Sequence, residues 1–154
     1  MPVKHRFLLL GAGLLLAAVV FGGCRSTAFN VAVEGTDNQN RCDDQNQGFI
    51  IDVVLLQLTS DAAFRRISPE EFWDNPSALG DDELERETKR LQPGAVWTLN
   101  KYKPDKEANF IGVAADFTCL DNQQRWRDVE STGDLRGREL QVRILEQRLD
   151  VSVR

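Results

Sequence analysis

The amino-acid sequence predicts a mainly β protein, a two-sheet β-sandwich with one short helical insertion. From Thr27 onward, short segments in which apolar and polar residues alternate recur along the chain, as is typical of half-buried strands. Turn-forming residues separate these segments, and one stretch, 60–80, departs from the alternation. Seven or eight short strands with one such break indicate a single sandwich domain in a chain of 154 residues.

The strand segments differ in how much of each is predicted to be buried. Residues 49–58 are mostly apolar and rich in β-branched side chains, which indicates a central strand buried on much of both faces. Residues 125–130 are predicted as an edge strand, and the last two segments as a hairpin. A Gln-Pro-Gly turn at 92–94 precedes the third of these segments. The predicted strands are 27–34, 49–58, 95–101, 110–120, 125–130, 138–147 and 149–153.

The break at 60–80 contains two helix-start signals. Ser60 is placed to cap a short helix, and Ser68 precedes Pro69 with Glu71 three residues further on, which is the pattern of a capping box. Residues 81–91 are also predicted as helix, because oppositely charged residues recur there four positions apart.

The first 23 residues are predicted to be a signal peptide rather than part of the fold. Lys4 and Arg6 precede an uncharged stretch, residues 7–21, that is rich in Leu, Ala and Val. A transmembrane anchor is the alternative, but a membrane-spanning helix needs about 20 apolar residues. The segment ends in Phe-Gly-Gly-Cys at 21–24, which resembles a bacterial lipobox.

This motif predicts a mature domain of residues 24–154 that carries a covalent lipid on Cys24. We expect no other cofactor. Two or three acyl chains anchor a protein stably where a single chain is marginal. Arg25 stands where an aspartate often marks retention in the inner membrane, so we expect the protein in the outer membrane, facing the periplasm.

Two further cysteines, Cys42 and Cys119, remain in the mature chain. An even pair in an oxidising compartment predicts a disulfide, which the chain-entropy model values at about 4 kcal/mol for a loop of this length. Two buried free thiols are the alternative.

Charge and histidine content exclude several classes of function. Without residues 1–23 the chain has 17 basic and 24 acidic residues, a net charge of −7, which argues against nucleic acid and anionic lipid surfaces as partners. The only histidine, His5, lies in the signal segment. Histidine-dependent nucleophiles and histidine-ligated metal sites are therefore excluded from the mature domain.

We expect neither a catalytic site, a metal site nor a small-molecule substrate. The carboxylates that a glycosidase would need are interleaved with basic residues, as on a solvated face; they are Glu70, Glu71, Glu83, Glu85 and Glu87. Possible calcium ligands in the segment 35–48 lack the spacing of an EF-hand loop; they are Asp37, Asp43, Asp44 and Asn46.

The segment 35–48, GTDNQNRCDDQNQG, is polar almost throughout and is predicted to be a long exposed loop. It is interpreted either as a partner-binding tip, stiffened by a bond from Cys42 to Cys119, or as a solvated connection of no specific role.

The order of several motifs resembles a known family. A lipobox is followed by Leu-Gln-Leu at 56–58, Leu-Gln-Pro-Gly at 91–94, Phe-Ile-Gly-Val-Ala-Ala-Asp-Phe at 110–117 and Trp-Arg at 126–127. In this order the chain is similar to the type VI secretion outer-membrane lipoproteins, the TssJ family, also called VasD or SciN.

The resemblance implies a transthyretin-like β-sandwich that tethers a secretion machine to the outer membrane. The implied partner is the periplasmic C-terminal region of the inner-membrane protein TssM. Residues 84–91 would then form a strand, against the helical prediction. The resemblance also implies partner contacts in the loop 35–48, as a position and without roles for individual residues. The candidate contact residues within this loop are Asp37, Asn40, Arg41, Asp43, Asp44 and Asn46.

A lipid-anchored module that binds glycan or peptidoglycan is the alternative function. Trp73, Trp97 and Trp126 could line a sugar-binding groove, although tryptophans in such segments more often pack in or around a core.

Overall fold

The computed structural model describes residues 27–119 and 125–154, and they form a sandwich of two four-stranded sheets. The predicted fold class is confirmed. The strands are β1 (Phe29–Gly35), β2 (Ile51–Leu58), β3 (Glu83–Leu91), β4 (Val96–Tyr102), β5 (Phe110–Ala115), β6 (Arg127–Ser131), β7 (Glu139–Ile144) and β8 (Leu149–Val153).

The first sheet has the strand order β4-β1-β7-β8 and the second the order β3-β2-β5-β6. Strands β1 and β7 run parallel, and every other described pair is antiparallel. The apolar residues that alternate along β1 and β7 point between the sheets and form the core with β2 and β5. Those fully buried include Val31, Val33, Leu55, Ile111, Leu140 and Ile144.

The helical insertion lies between β2 and β3 and contains α1 (Ala62–Arg66) and α2 (Pro69–Asp74). Ser68 caps α2 as predicted, since its Oγ accepts a hydrogen bond from the Glu71 N–H at 3.1 Å. The insertion covers the outer face of the second sheet with Phe64 and Phe72, which pack on Trp126. Gly112 permits this contact, because a Cβ there would stand 2.9 Å from the Phe64 ring.

The helical prediction for 81–91 is wrong, because only a short 3-10 turn (Gly80–Asp82) precedes the edge strand β3. Eight residues of β3 pair with β2, from Glu83 opposite Leu58 to Leu91 opposite Ile51. Charged residues of both signs occur on exposed edge strands as well as on helix surfaces. The segment forms a strand because its backbone pairs with that of the buried strand β2. A fourth short element, α3 (Thr132–Leu135), was not predicted.

Strand direction sorts the connections into two ends of the sandwich. The connections β1–β2, β3–β4, β5–β6 and β7–β8 meet at one end, which we call the loop end. The chain enters β1 at the opposite end, which we call the entry end. There Gly137 N–H donates to Ala28 O at 3.3 Å and Arg154 N–H to Glu139 O at 3.0 Å.

Candidate functional site at the loop end

The β1–β2 loop, residues 36–50, continues alongside the turn between β7 and β8. The N–H and hydroxyl of Thr36 donate to Ile144 O at 3.1 and 2.8 Å. Asn40 N–H and Arg41 N–H then donate to Leu145 O and Glu146 O at 3.2 and 3.0 Å. The first half of the loop is therefore hydrogen-bonded to the first sheet well beyond the last residue of β1.

Two buried amide side chains fix the second half of the loop. Gln39 Nε2 donates to Phe49 O and Leu91 O, both at 3.0 Å. Asn40 Nδ2 donates to Ile50 O at 3.0 Å, and its Oδ1 accepts from Thr118 N–H at 2.7 Å. At this end of the sandwich the strands are no longer paired, and these two amides form hydrogen bonds with backbone groups in place of a neighbouring strand.

Burial corrects the prediction that the whole segment 35–48 is exposed. Gln39 and Asn40 are 0% and 4% exposed, and Cys42 is also buried. Of the candidate contact residues, Arg41 is partly buried and ion-paired with Glu146, and the others besides Asn40 are exposed. The exposed candidates are Asp37, Asp43, Asp44 and Asn46.

The predicted disulfide is present and joins Cys42 to Cys119, with Cα atoms 5.6 Å apart. Cys119 lies in the segment that follows β5, so the bond ties the loop to the second sheet. Inside the loop, the Cys42 N–H donates to Gln45 Oε1 at 2.9 Å, and the Gln45 N–H donates to Cys42 O at 3.0 Å. Together with the hydrogen bonds to β7–β8, the disulfide fastens the loop to both sheets.

Close backbone packing shapes the return of the loop towards β2. The Gly48 N–H donates to Asp37 O at 3.2 Å, and a Cβ at Gly48 would stand 2.4 Å from that same oxygen. Asn40 adopts the left-handed conformation with a φ of 50°, which asparagine tolerates better than most residues. The loop conformation thus depends on residue types at particular positions and not only on a polar composition.

Sequence reasoning missed the apolar side chains that this end exposes. Phe49 and Ile50 were predicted to begin a buried strand, but pairing of β2 with β3 begins at Ile51 and leaves them 40% and 46% exposed. Val96, the first residue of β4, is 60% exposed at the same end. A signal was present in the sequence, since both residues follow directly on the polar segment and its last glycine.

An open depression of about 710 Å³ lies beside the loop. Its lining residues are mostly of polar type and carry both charge signs, although polar and apolar atoms contribute nearly equally to its surface; they are Thr36, Asn38, Asp43, Arg125, Leu145, Glu146, Gln147 and Arg148. The depression is open to solvent, whereas small-molecule sites are usually enclosed and mainly apolar.

An exposed ion pair stands where β2 starts and β3 ends. Arg90 Nε and Nη2 each donate to a carboxylate oxygen of Asp52 at 2.8 Å. This hydrogen bonding lowers the pKa of Asp52 from its ordinary value, against the opposing effect of partial burial. Asp52 therefore stays ionised at neutral pH, and its negative charge near the loop is balanced by the positive charge of Arg90.

The tryptophans do not form the exposed groove that a glycan-binding module would need. Trp126 and Trp97 are buried in the core. Trp73 is partly buried, with its ring centroid 5.0 Å from that of Phe72 in an edge-to-face contact. All three side chains are therefore occupied by packing within the domain.

Two kinds of feature are absent from the part of the chain that the structure describes. Within 27–119 and 125–154, no group of three or more His, Cys, Asp or Glu side chains is arranged to hold a metal ion. The same part of the chain contains no helix with the length and apolar character required to cross a bilayer. Cys24, the predicted lipidation site, lies outside the described residues.

Comparison with protein families decides the class of the chain. The family model for the type VI secretion lipoproteins VasD, EvfM and TssJ matches residues 27–149. The chain belongs to this family. The match covers every strand except the last four residues of β8, together with the loop end described above.

Solved structures share the fold at low sequence identity. The lipoprotein TssJ1 of Pseudomonas aeruginosa superposes with a TM-score of 0.70 at 23% identity, covering 82% of this chain and 97% of that chain. A chain in a structure named for a type VI membrane complex gives 0.71 at 21%, covering 81% and 97%. A chain in a structure named for the TssM C-terminal domain (869–1107) from EAEC gives 0.70 at 19%, also covering 81% and 97%. A search of the curated proteins found no match.

Proposed function

We propose that this type VI secretion lipoprotein is a tether between two membranes and catalyses no reaction. A signal peptide of residues 1–23 directs export, and acyl chains on Cys24 hold the protein in the outer membrane with its domain in the periplasm. The loop end binds the periplasmic C-terminal region of an inner-membrane protein of the TssM type. Family membership over residues 27–149 is the observation that carries this proposal.

Two of the similar structures support the choice of partner. One is named for a type VI membrane complex and the other for the TssM C-terminal domain, and each contains a chain with this fold. At sequence identities of 21% and 19%, these two structures support the fold of this chain but not the positions of individual partner contacts. The assignment of a contact surface therefore depends on the geometry of this chain.

The positions of the two ends support a tether. Cys24 precedes Thr27 by three residues, so the lipid is at most about 11 Å of extended chain from the entry end. Strand β1 then crosses the sandwich over seven residues, roughly 20 Å, before the β1–β2 loop begins. A domain anchored at the entry end presents its loop end away from the bilayer, towards the periplasm.

The construction of the loop supports it as the contact surface. Ordering a flexible loop on binding has an entropic cost, and a loop that is already held avoids much of it. Here the buried amides of Gln39 and Asn40 and the disulfide hold the backbone, while Asp37, Asp43 and Asp44 stay exposed. In this proposal Asn40, one of the candidate contact residues, positions the loop and does not itself touch the partner.

The first test is calorimetric titration of a chain that begins at Arg25 with the periplasmic C-terminal region of the TssM-type protein from the same bacterium. Such a chain keeps every described strand and helix. Saturable binding at micromolar affinity or tighter is expected. Absence of heat and of co-elution, with both proteins shown to be folded, would refute the partner assignment.

A matched pair of charge reversals locates the contact. Asp43→Lys with Asp44→Lys changes the loop end, and Lys103→Glu with Lys106→Glu changes exposed residues at the entry end. Because charges near an interface alter affinity and association rate, the first pair should weaken binding several-fold and the second should not. The opposite pattern would move the interface to the entry end.

Cys24→Ser tests the membrane side of the proposal. Without acyl chains the domain has no outer-membrane anchor, so the variant should leave the outer-membrane fraction. It should be soluble in the periplasm where the signal peptide is still removed, and should stay with the inner membrane where it is not. A Cys24→Ser protein that still sediments with outer membranes would refute the anchor.

A further inference from the structure

The exposed large apolar side chains of the described residues are unevenly distributed. There are four of them, and Phe49, Ile50 and Val96 lie at the loop end. The fourth, Leu84, lies near the start of β3 at the entry end and is 38% exposed. Phe49 and Ile50 are consecutive, and we call them the apolar pair.

The backbone of the apolar pair is held from inside the domain. The Phe49 N–H donates to Gln39 O at 3.0 Å, and the Phe49 carbonyl accepts from Gln39 Nε2 at 3.0 Å. The Ile50 carbonyl accepts from Asn40 Nδ2 at 3.0 Å. Two buried amides therefore fix the backbone of two residues whose side chains remain in water.

This arrangement is favourable for binding and unfavourable for an isolated domain. Exposed Phe and Ile side chains contribute little to the stability of the fold, whereas removing them from water on association is favourable in proportion to the apolar area buried. Aromatic side chains, Phe among them, are enriched in the buried core of protein interfaces. A held backbone also reduces the ordering cost of association.

We propose that the apolar pair is the energetic centre of the partner contact, and that it inserts into an apolar depression on the partner domain. The proposal rests on the tether function above and assigns the residues of its periplasmic side. Asp43 and Asp44 then form part of a polar rim around the apolar pair, and charges in such a rim affect the association rate more than the dissociation rate. Gln39 and Asn40 are positioning residues that present the pair.

Charge and orientation favour a protein over a lipid surface as the occupant. The mature chain has a net charge of −7, and the loop beside the pair exposes Asp37, Asp43 and Asp44. Anionic headgroups would repel this surface. In the proposed orientation the loop end also points away from the membrane that holds the lipid.

The test compares the dissociation constants of Phe49→Ser, Ile50→Ser and the double variant with that of the unaltered chain, by calorimetry against the same partner region. Leu84→Ser is the matched control, an equally exposed apolar residue at the other end. The double variant should bind at least about tenfold more weakly, and Leu84→Ser within about twofold of the unaltered chain. The heat-capacity change of binding should be less negative in the double variant, since that change reports apolar burial.

The outcomes separate this inference from the function on which it rests. If the unaltered chain binds and the double variant binds equally well, the inference is wrong and the tether stands. If the unaltered chain does not bind, the tether itself is refuted. Thermal unfolding must show that the double variant is folded; otherwise the two single variants decide by the same criterion. Sedimentation of the unaltered chain with anionic vesicles, lost in the double variant, would overturn the inference in favour of a lipid surface.

Discussion

The two long connections of the sandwich are fixed to the domain by opposite means. The helical insertion between β2 and β3 packs through its aromatic side chains, with Phe64 and Phe72 buried against Trp126. The β1–β2 loop is held through polar side chains and a disulfide, and its aromatic residue Phe49 remains in solvent. A connection that buries its apolar side chains uses them to stabilise the fold. A connection that is held through its backbone leaves its apolar side chains exposed, where a partner can contact them.

Phe72→Ala tests the insertion and should have the largest effect on stability. The side chain is fully buried between Trp126 and Trp73, and such truncations cost about 3–5 kcal/mol. Denaturant unfolding should show this loss. Affinity for the partner, measured where the variant is still folded, should be unchanged, and a parallel loss of affinity would mean that the insertion also belongs to the interface.

The double variant Cys42→Ser, Cys119→Ser tests the covalent link of the loop. The bond spans 77 residues, so its removal should lower the free energy of unfolding by up to about 4 kcal/mol in the chain-entropy model. Unlike Phe72→Ala, this change should also weaken partner binding, because the loop loses its connection to the second sheet. A folded variant with undiminished affinity would show that hydrogen bonds alone hold the contact surface.

Asn40→Ala tests the amide that supports the apolar pair. It removes the hydrogen bonds to Ile50 O and from Thr118 N–H, and a typical hydrogen bond contributes about 0.5–1.5 kcal/mol net to stability. Asn40→Gly is the control, since glycine accepts the φ of 50° but also lacks the amide. Both variants should lose stability and affinity. If Asn40→Gly matched the unaltered chain, backbone conformation and not the amide would be the cause.

The smallest effect is expected for the exposed ion pair at the loop end. Arg90→Ala should cause a small, salt-sensitive loss of thermal stability. Arg86→Ala should cause a larger loss, since Arg86 is half-buried between Glu83 and the Phe72 ring.

The Asp52–Arg90 ion pair lowers the pKa of Asp52. The contribution of this ion pair to stability is therefore present above the ordinary pKa of 3.8 and is lost as the pH falls through the lowered pKa. The difference between Arg90→Ala and the unaltered chain should therefore vanish in acid. An equal difference at all pH values would assign the effect to packing.

The sequence was sufficient for most strands because their apolar residues alternate with a period of two. It failed at β3, where Glu85 and Lys89 stand four apart as on a helix yet lie on an edge strand. The choice there depends on β2, which supplies the backbone partners of β3; the paired residues are 25 (Leu58 with Glu83) to 40 (Ile51 with Leu91) positions apart in sequence. Resemblance to the family corrected this where local pattern did not.

Prediction of the loop failed for a related reason. Composition indicates that Gln39 and Asn40 are exposed, whereas both are buried because their amides replace strand hydrogen bonds. Phe49 and Ile50 have strand-like composition but lie beyond the last paired residue of β2. In both cases, burial is set by where pairing stops, which depends on partners distant in sequence.

Site-specific photo-crosslinking tests most directly whether the two ends have separate roles. A photoreactive residue is placed at Asp43 on the loop end, or at Lys106 on the entry end, both of which are exposed. In cells that assemble the secretion system, the position at 43 should crosslink to the TssM-type protein and the position at 106 should not. Crosslinking from 106 alone, or equally from both, would contradict a domain held by the membrane at one end and by its partner at the other.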